Sequence, residues 1–399
     1  MPRRSTSGLL IIALASAAVL VAPRPATARG GASEAFGRAL SGLTAEEKAR
    51  FTAGREVFVE TETPEDGVGP VFNDSSCVAC HSVPEVGGAS DRIETRFGKR
   101  TRNGFDALTA LGGSLIQEQG IGAQAECEFV GETVPAEADV SAGRRTTSLF
   151  GLGLVDALAD ATLVELAARQ RARTPATAGR THLVLDAVSG EQRIGRFGWK
   201  AQVPSLLHFA GDAYLNEMGI TSPFFPEENC PQGNCELLRC DLVADPEDDG
   251  ADVFLFADFM SLLAAPPRAT SESKRAVAEG RRTFDRIGCA DCHTPALRSG
   301  RHEVAALSNR EFAPYSDFLL HDMGTLGDGV AQDGAGPSEM RTAPLWGLRT
   351  LETFLHDGRT TTLSGAILAH EGQGAGARDR FRALRGEDRK RLLRFLRSL

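Results

Sequence analysis

The pattern Cys-X-X-Cys-His occurs twice in this 399-residue chain, as Cys77-Val78-Ala79-Cys80-His81 and as Cys289-Ala290-Asp291-Cys292-His293. On the first turn of a helix, residues i and i+3 share a face. The two thiols therefore stand side by side, and the histidine at i+4 follows on the same turn. At this spacing two cysteines can add to the two vinyl groups of one porphyrin while the histidine reaches its iron, which is the attachment signature of c-type haem. A redox dithiol of the thioredoxin kind does not call for the histidine. A zinc site would pair its CxxC motifs within a few tens of residues, whereas these lie about half a chain apart. The sequence thus predicts two covalently bound haem c groups, on Cys77 and Cys80 and on Cys289 and Cys292, with His81 and His293 as the proximal iron ligands.

Each motif closes a longer repeat. Gly54-Arg55-Glu56-Val57-Phe58 precedes the first and Gly280-Arg281-Arg282-Thr283-Phe284 the second, each at the end of an amphipathic helix. Thr44 and Glu47 make a capping box for the earlier one. An apolar helix with aromatics ends each half, Val253 to Leu263 in the first and Asp388 to Leu399 in the second. Between them Ala264-Ala265-Pro266-Pro267 is the natural linker, because paired prolines cannot continue a helix. The order helix, CxxCH, closing helix resembles the cytochrome c fold. The expected fold is mainly α, with two cytochrome c-like domains over residues 40–265 and 270–399. About 170 residues separate the first motif from its closing helix, so the first domain is enlarged by a long insertion. Within it, Asp160 to Arg171 reads as a helix with Leu163, Leu166 and Ala167 on one face. His182 to Leu185 and Gln192 to Phe197 read as a hairpin around Ser189-Gly190, and Gly324 to Pro337, in the second half, as a loop.

Arg3 and Arg4, an apolar run from Leu9 to Val21 and Ala26-Thr27-Ala28 read as a cleavable export signal over residues 1–28. About 13 apolar residues are too few to span a bilayer, so the expected location is periplasmic or secreted, without a membrane span. Without Arg3, Arg4 and Arg24 the net charge of −9 becomes about −12, which argues against nucleic acid as a partner. Four cysteines remain: Cys127, Cys230, Cys235 and Cys240. In an oxidising compartment an even number reads as two disulfides, with three connectivities open. No histidine lies among them to suggest a metal site.

Further strings carry a resemblance to a known family. They are GPVFNDSSCVACH (69–81), TSLFGLGLVDAL, GRFGWKAQVPSL (195–206), NEMGITSPFFPEENC (216–230), SDFLLHDMG (316–324), and RTAPLWGL followed by FLHDGR. Together they resemble the bacterial di-haem oxidoreductase and peroxidase family, sometimes labelled thiol oxidoreductases, and more distantly the di-haem cytochrome c peroxidases. The resemblance implies two haem domains across a cleft, a small electron-donor protein of cytochrome or cupredoxin type, and hydrogen peroxide as the oxidant. In the related peroxidases a distal methionine of the C-terminal haem follows the FHDG string. Here that place holds His370, 77 residues past His293, which implies two histidine ligands and a lower potential. The distal histidine that follows the first motif in those enzymes is missing, because no histidine lies between His81 and His182. Met218, in the segment NEMG that parallels FLHDG, is the candidate sixth ligand there. The peroxidase relatives also hold calcium near the domain interface. Carbonyls of Thr342 and Pro344 could serve one here, although backbone donors leave no sequence signature.

By the same resemblance His321 and His356 lie near the haems as hydrogen-bonding groups. Trp199 and Trp346 are candidates for a place between the haems, and Glu94, Arg96 and Glu126 for acid–base duty. Three functions follow: peroxide reduction with electrons entering by the C-terminal haem; electron transfer alone, with both irons six-coordinate; and oxidation of a residue of a partner protein. The attachment reading has a direct check. Denatured protein should keep its haem on a gel and exceed the mature polypeptide by the mass of two haem groups, whereas free thiols at Cys77, Cys80, Cys289 and Cys292 would contradict it.

Overall fold

In the computed structural model of the chain, residues 36–124, 127–269 and 271–399 are described; the export signal lies outside them. The helices, in chain order, are α1 (Ala45–Val59), the first CxxCH turn α2 (Cys77–Cys80), α3 (Leu152–Asp156), α4 (Asp160–Arg173), α5 (Leu206–Ala213), α6 (Ala251–Leu262), α7 (Lys274–Arg286), α8 (Leu363–Leu368), α9 (Ala375–Arg382) and α10 (Gly386–Arg397). The second CxxCH motif opens with a 3-10 turn, Cys289–Asp291. Thr44 caps α1 as the sequence predicts. Its Oγ1 accepts from Glu47 N at 3.2 Å, and Glu47 Oε2 accepts from Thr44 N at 2.7 Å.

The two sequence repeats become two equivalent helix crossings. In the first, α1 lies on α6, and a Cβ added at Gly54 would come within 2.2 Å of the Leu255 carbonyl oxygen. In the second, α7 lies on α10, and a Cβ at Gly280 would come within 2.1 Å of the Arg391 carbonyl oxygen. Only glycine lets the backbones approach so closely. One turn further on, the repeat's phenylalanine packs against the partner helix. The Phe58 and Phe259 ring centres are 4.7 Å apart, and those of Phe284 and Phe395 5.3 Å. The same phenylalanines reach the motif histidines, Phe58 at 6.2 Å from His81 and Phe284 at 6.4 Å from His293. Each crossing is thus the back wall of a CxxCH turn.

Strand is more abundant than a mainly α fold implies. Six small sheets thread between the helices among the described residues. The longest ladder pairs Ile93–Thr101 with Val140–Arg145, antiparallel, Glu94 opposite Arg144; Gly104–Asp106 lies on the other edge. Its sequence, IETRFGKRT, buries only Phe97 and Gly98, so it carries no alternation to read. The expected hairpin forms over Leu183–Leu185 and Gln192–Ile194. Strands Leu320–Asp322 and Glu339–Arg341 pair across the glycine-rich loop, with His321 opposite Met340.

Ala264 to Pro267 lies outside any helix or strand, but it does not separate two cores. The larger buried cluster joins Phe51, Phe58 and Phe259 to Leu297, Leu307, Phe312, Phe318 and Trp346 from beyond the linker. A smaller one, built on Phe284, Tyr315, Phe381 and Phe395, belongs to the second crossing. Residues Ala35–Leu399 form one compact unit. In the insertion Cys230 is bonded to Cys235, and Cys240 is also in a disulfide; the side chain of Cys127 lies outside those described. No described helix is long and apolar enough to cross a membrane.

The crossings yield a stability test. Gly280→Ala forces α7 and α10 apart and should cost about 1–3 kcal/mol in denaturant unfolding of the haem-loaded protein. Gly386→Ala, with nothing within 4 Å of the added carbon, should stay within about 0.5 kcal/mol of the parent. Equal midpoints for the two variants would contradict the close-contact account.

Candidate functional site

Each CxxCH motif opens onto its own cavity, of about 1440 Å³ for the first and about 1470 Å³ for the second, mouths included. Cys77, Cys80 and His81 line the first, Cys289, Cys292 and His293 the second. Burial pushes the Cys77 and Cys289 thiols up to about 12, so in the folded chain both are protonated and poor nucleophiles.

The motif histidines are held alike. His81 Nδ1 donates to the Gly88 carbonyl at 3.1 Å, and His293 Nδ1 to the Tyr315 carbonyl at 2.9 Å. A backbone acceptor on Nδ1 fixes the tautomer and leaves Nε2 as the metal-binding nitrogen. Burial lowers both rings to about 4, in His293 with help from the neighbouring His370. Each is a neutral imidazole at neutral pH, the form a metal requires.

His370 is the third histidine of this kind. It follows α8, and its Nδ1 donates to the Ala366 carbonyl at 2.8 Å. Its ring centre lies 6.4 Å from that of His293 in the second cavity. An iron bound by two imidazoles at about 2 Å each, with about 1 Å more from each Nε2 to its ring centre, separates the ring centres by roughly 6 Å. The second cavity can therefore hold an iron between two histidines. His321 and His356 line the same cavity. His321 Nε2 pairs with Asp317 at 2.9 Å, and its Nδ1 is 3.5 Å from Cys292 Sγ. Burial alone would lower this ring, but the Asp317 carboxylate bonded to it carries it up, so it is a charged neighbour of the attachment site. Met323 also lines this cavity.

The first cavity has a different opposite wall. Among the described residues no second histidine lines it; Met218, Glu217, Asp212, Glu94 and Arg96 do. Glu94 and Arg96 alternate on one strand and so share a face, and they are ion-paired to each other. Glu217 and Met218 end a π-helical turn, Tyr214–Met218, a deformation that often marks functional sites. Asn73, just before the motif, donates from Nδ2 to Glu217 Oε2 at 2.8 Å. Its backbone N–H donates to the Glu217 carbonyl at 2.7 Å. Burial and the Glu94 carboxylate push Glu217 up to about 7, and burial raises Asp212. Glu217 and Asp212 were not legible as site residues. The sequence signal for Glu217 was its place beside Met218 in NEMG.

Trp199 and Arg145 line both cavities. Trp199 Nε1 donates to the Arg145 carbonyl at 3.0 Å, and its ring meets His356 edge-on at 6.1 Å. Trp346 is not in the lining of either cavity; its ring packs at a tilt against Phe312, 5.9 Å between centres. Met260 is buried on α6 beside the first cavity. His182, His208 and His302 make backbone hydrogen bonds away from both motifs. Glu126 lies outside the described residues. The Thr342 carbonyl already accepts from Ser316 Oγ at 2.6 Å and Arg341 at 3.2 Å, so it is engaged without a cation.

A family model described as "Di-haem oxidoreductase, putative peroxidase" matches residues 131–399. No curated protein matches the chain. Among solved structures the chain is similar to a xenon-pressurised hydrazine synthase of Kuenenia stuttgartiensis, at 14% identity over 98% of this chain and 100% of that one, with a TM-score of 0.41. It is similar to a MauG-like protein associated with microbial copper homeostasis, at 13% identity over 90% and 89% of the two chains, with a TM-score of 0.40. The diheme peroxidase BthA from Burkholderia thailandensis matches at 14% identity over 88% and 86%, also with a TM-score of 0.40. Likenesses this distant add nothing to what the family match shows.

The pairing of His293 with His370 predicts spectroscopic behaviour. His370→Ala should turn the second haem high-spin and open it to external ligands. His370→Met should keep it low-spin and raise its potential, since thioether ligation favours the ferrous state. A His370→Ala spectrum and potential identical to the parent would make His370 a bystander.

Proposed function

The chain belongs to the di-haem oxidoreductase family, and from that premise we propose that it is a periplasmic c-type enzyme that reduces hydrogen peroxide at its first haem with electrons admitted through its second. The observation that carries this reading is the inequality of the two cavities. The second presents two histidines to one iron, and a six-coordinate iron is suited to electron transfer. The first presents one histidine and, in its remaining wall, a group of acidic and basic side chains.

Bound haem supplies the reducible iron on which an O–O bond can be broken. The chain's own residues then have to manage protons, because reducing H₂O₂ to two waters consumes two electrons and two protons. Glu217, held near 7, can both give and accept a proton at working pH, the property that general acid–base catalysis needs. Asn73 fixes its carboxyl, and the Glu94–Arg96 pair keeps the same wall polar. Trp199, in the wall of both cavities, occupies the ground that electrons would cross. The donor is a small redox protein docking on the second half of the chain.

A second reading, electron transfer without a substrate, is favoured by one observation: Met218 is buried and lines the first cavity, so its thioether is within the pool of sixth ligands. The two readings separate in steady-state peroxide kinetics. Under the first, Glu217→Gln loses about 10²–10⁴-fold in turnover with haem content and the second haem's spectrum unchanged, and Met218→Ala leaves the spin state of the first haem as it was. Under the second, the parent protein does not turn peroxide over, and Met218→Ala creates a high-spin first haem. Full peroxide activity in Glu217→Gln would remove the proposed acid–base role.

A further inference from the structure

Arg145 presents an electrostatic problem that the chain does not solve by itself. The residue is 7% exposed, and its guanidinium is bonded to backbone carbonyls alone: Nη1 donates to Thr353 at 2.9 Å, and Nη2 to Ser90 at 3.1 Å. Nε is buried with no partner. No carboxylate lies within ion-pair distance among the described residues, and the charge that acts on it most is Asp91, on the exposed side of the chain. The neighbouring Arg144 shows the ordinary arrangement, an ion pair with Asp328 at 2.8 Å. A buried cation without a counter-charge is costly, and a chain that keeps one holds a place for an anion.

The place is defined by what Arg145 lines, which is both haem cavities. Its two carbonyl partners come from opposite ends of the chain, Ser90 just after the first motif and Thr353 beyond the second. Its backbone is committed as well, the N–H to the His356 carbonyl at 2.6 Å and the carbonyl to Trp199 Nε1 at 3.0 Å. The guanidinium is thus fixed in position, with three of its five N–H groups to spare, that of Nε among them. Arg341 repeats the pattern on one side only. It is 7% exposed, donates to the Gly198 and Thr342 carbonyls, makes no ion pair among the described residues, and lines the second cavity but not the first.

We propose that Arg145 is a shared seat for the propionate carboxylates of both haems, and that Arg341 seats a propionate of the second haem alone. Guanidinium and carboxylate match in charge and in planar hydrogen-bonding geometry. One fixed positive charge between the two cavities favours the reduced state of both irons, because the ferrous haem carries one positive charge fewer. Arg145 is in this sense a positioning and tuning residue. The inference rests on haem filling both cavities and is independent of peroxide as the substrate.

Redox titration followed by optical spectra tests it on the haem-loaded protein. Arg145→Gln should lower the midpoint potentials of both haems, Arg341→Gln that of the second haem only, and Arg145→Lys should recover most of the first effect. Resonance Raman spectra of the unaltered protein supply a check that needs no variant: the propionate bending modes of both haems should shift when exchangeable protons are replaced by deuterium. Midpoints unchanged in Arg145→Gln overturn the proposal, as does a shift confined to one haem. Should that variant fail to take up haem, propionate modes insensitive to exchange overturn it instead. Two resolved redox waves in the parent establish the haems themselves, so a failure here is distinguishable from absence of the cofactor.

Discussion

Three imidazoles, those of His81, His293 and His370, are each tied through Nδ1 to a backbone carbonyl. That hydrogen bond is the constraint on which the rest of the molecule is built. It sets the tautomer, fixes the ring plane and leaves Nε2 to a metal. Burial keeps all three rings neutral by lowering their proton affinity. The carbonyls can do this only if their backbone is rigid, and for the two CxxCH turns the rigidity comes from the glycine crossings. Gly54 and Gly280 let two helix pairs touch, and Phe58 and Phe284 fill the step from each crossing to the histidine above it. The repeat in the sequence is the repeat of this support.

On this common support the two cavities diverge. The second has a histidine on each side at a spacing suited to one iron, and a charged His321–Asp317 pair beside its attachment cysteine. The first has Glu94, Arg96, Asp212 and Glu217 in its lining and, among the described residues, His81 as its one histidine. On the proposed function this division gives electron handling to one cavity and proton handling to the other, and Trp199 and Arg145 line both. The two halves also share one continuous core, since Leu297, Phe312 and Phe318 cluster with Phe51 and Phe259 across the linker.

Much of this was legible in the sequence because it is covalent or periodic. The CxxCH spacing, the Gly-to-Phe repeat, the Thr44–Glu47 cap and the α4 face all announce themselves locally. His370 could be named from its place after FLHDG. What escaped was non-local or non-periodic. The strand carrying Glu94 and Arg96 buries two residues of nine, so its alternation does not show. Glu217 becomes a site residue only because Asn73, 144 positions away, holds it. Arg145 reads as one of many arginines until its lack of a counter-charge is seen. The division into two cytochrome-like domains at the prolines also concealed that the larger core draws on both sides of the linker.

The central claim is that one family fold carries two haems of unequal coordination, an open catalytic one and a closed electron-transferring one. Low-temperature EPR of the fully oxidised protein, integrated against total haem, tests it most directly. The account predicts one high-spin ferric signal and one low-spin signal of the two-histidine type, in equal amounts. Two low-spin signals with no high-spin component would contradict it and leave an electron-transfer cytochrome in its place.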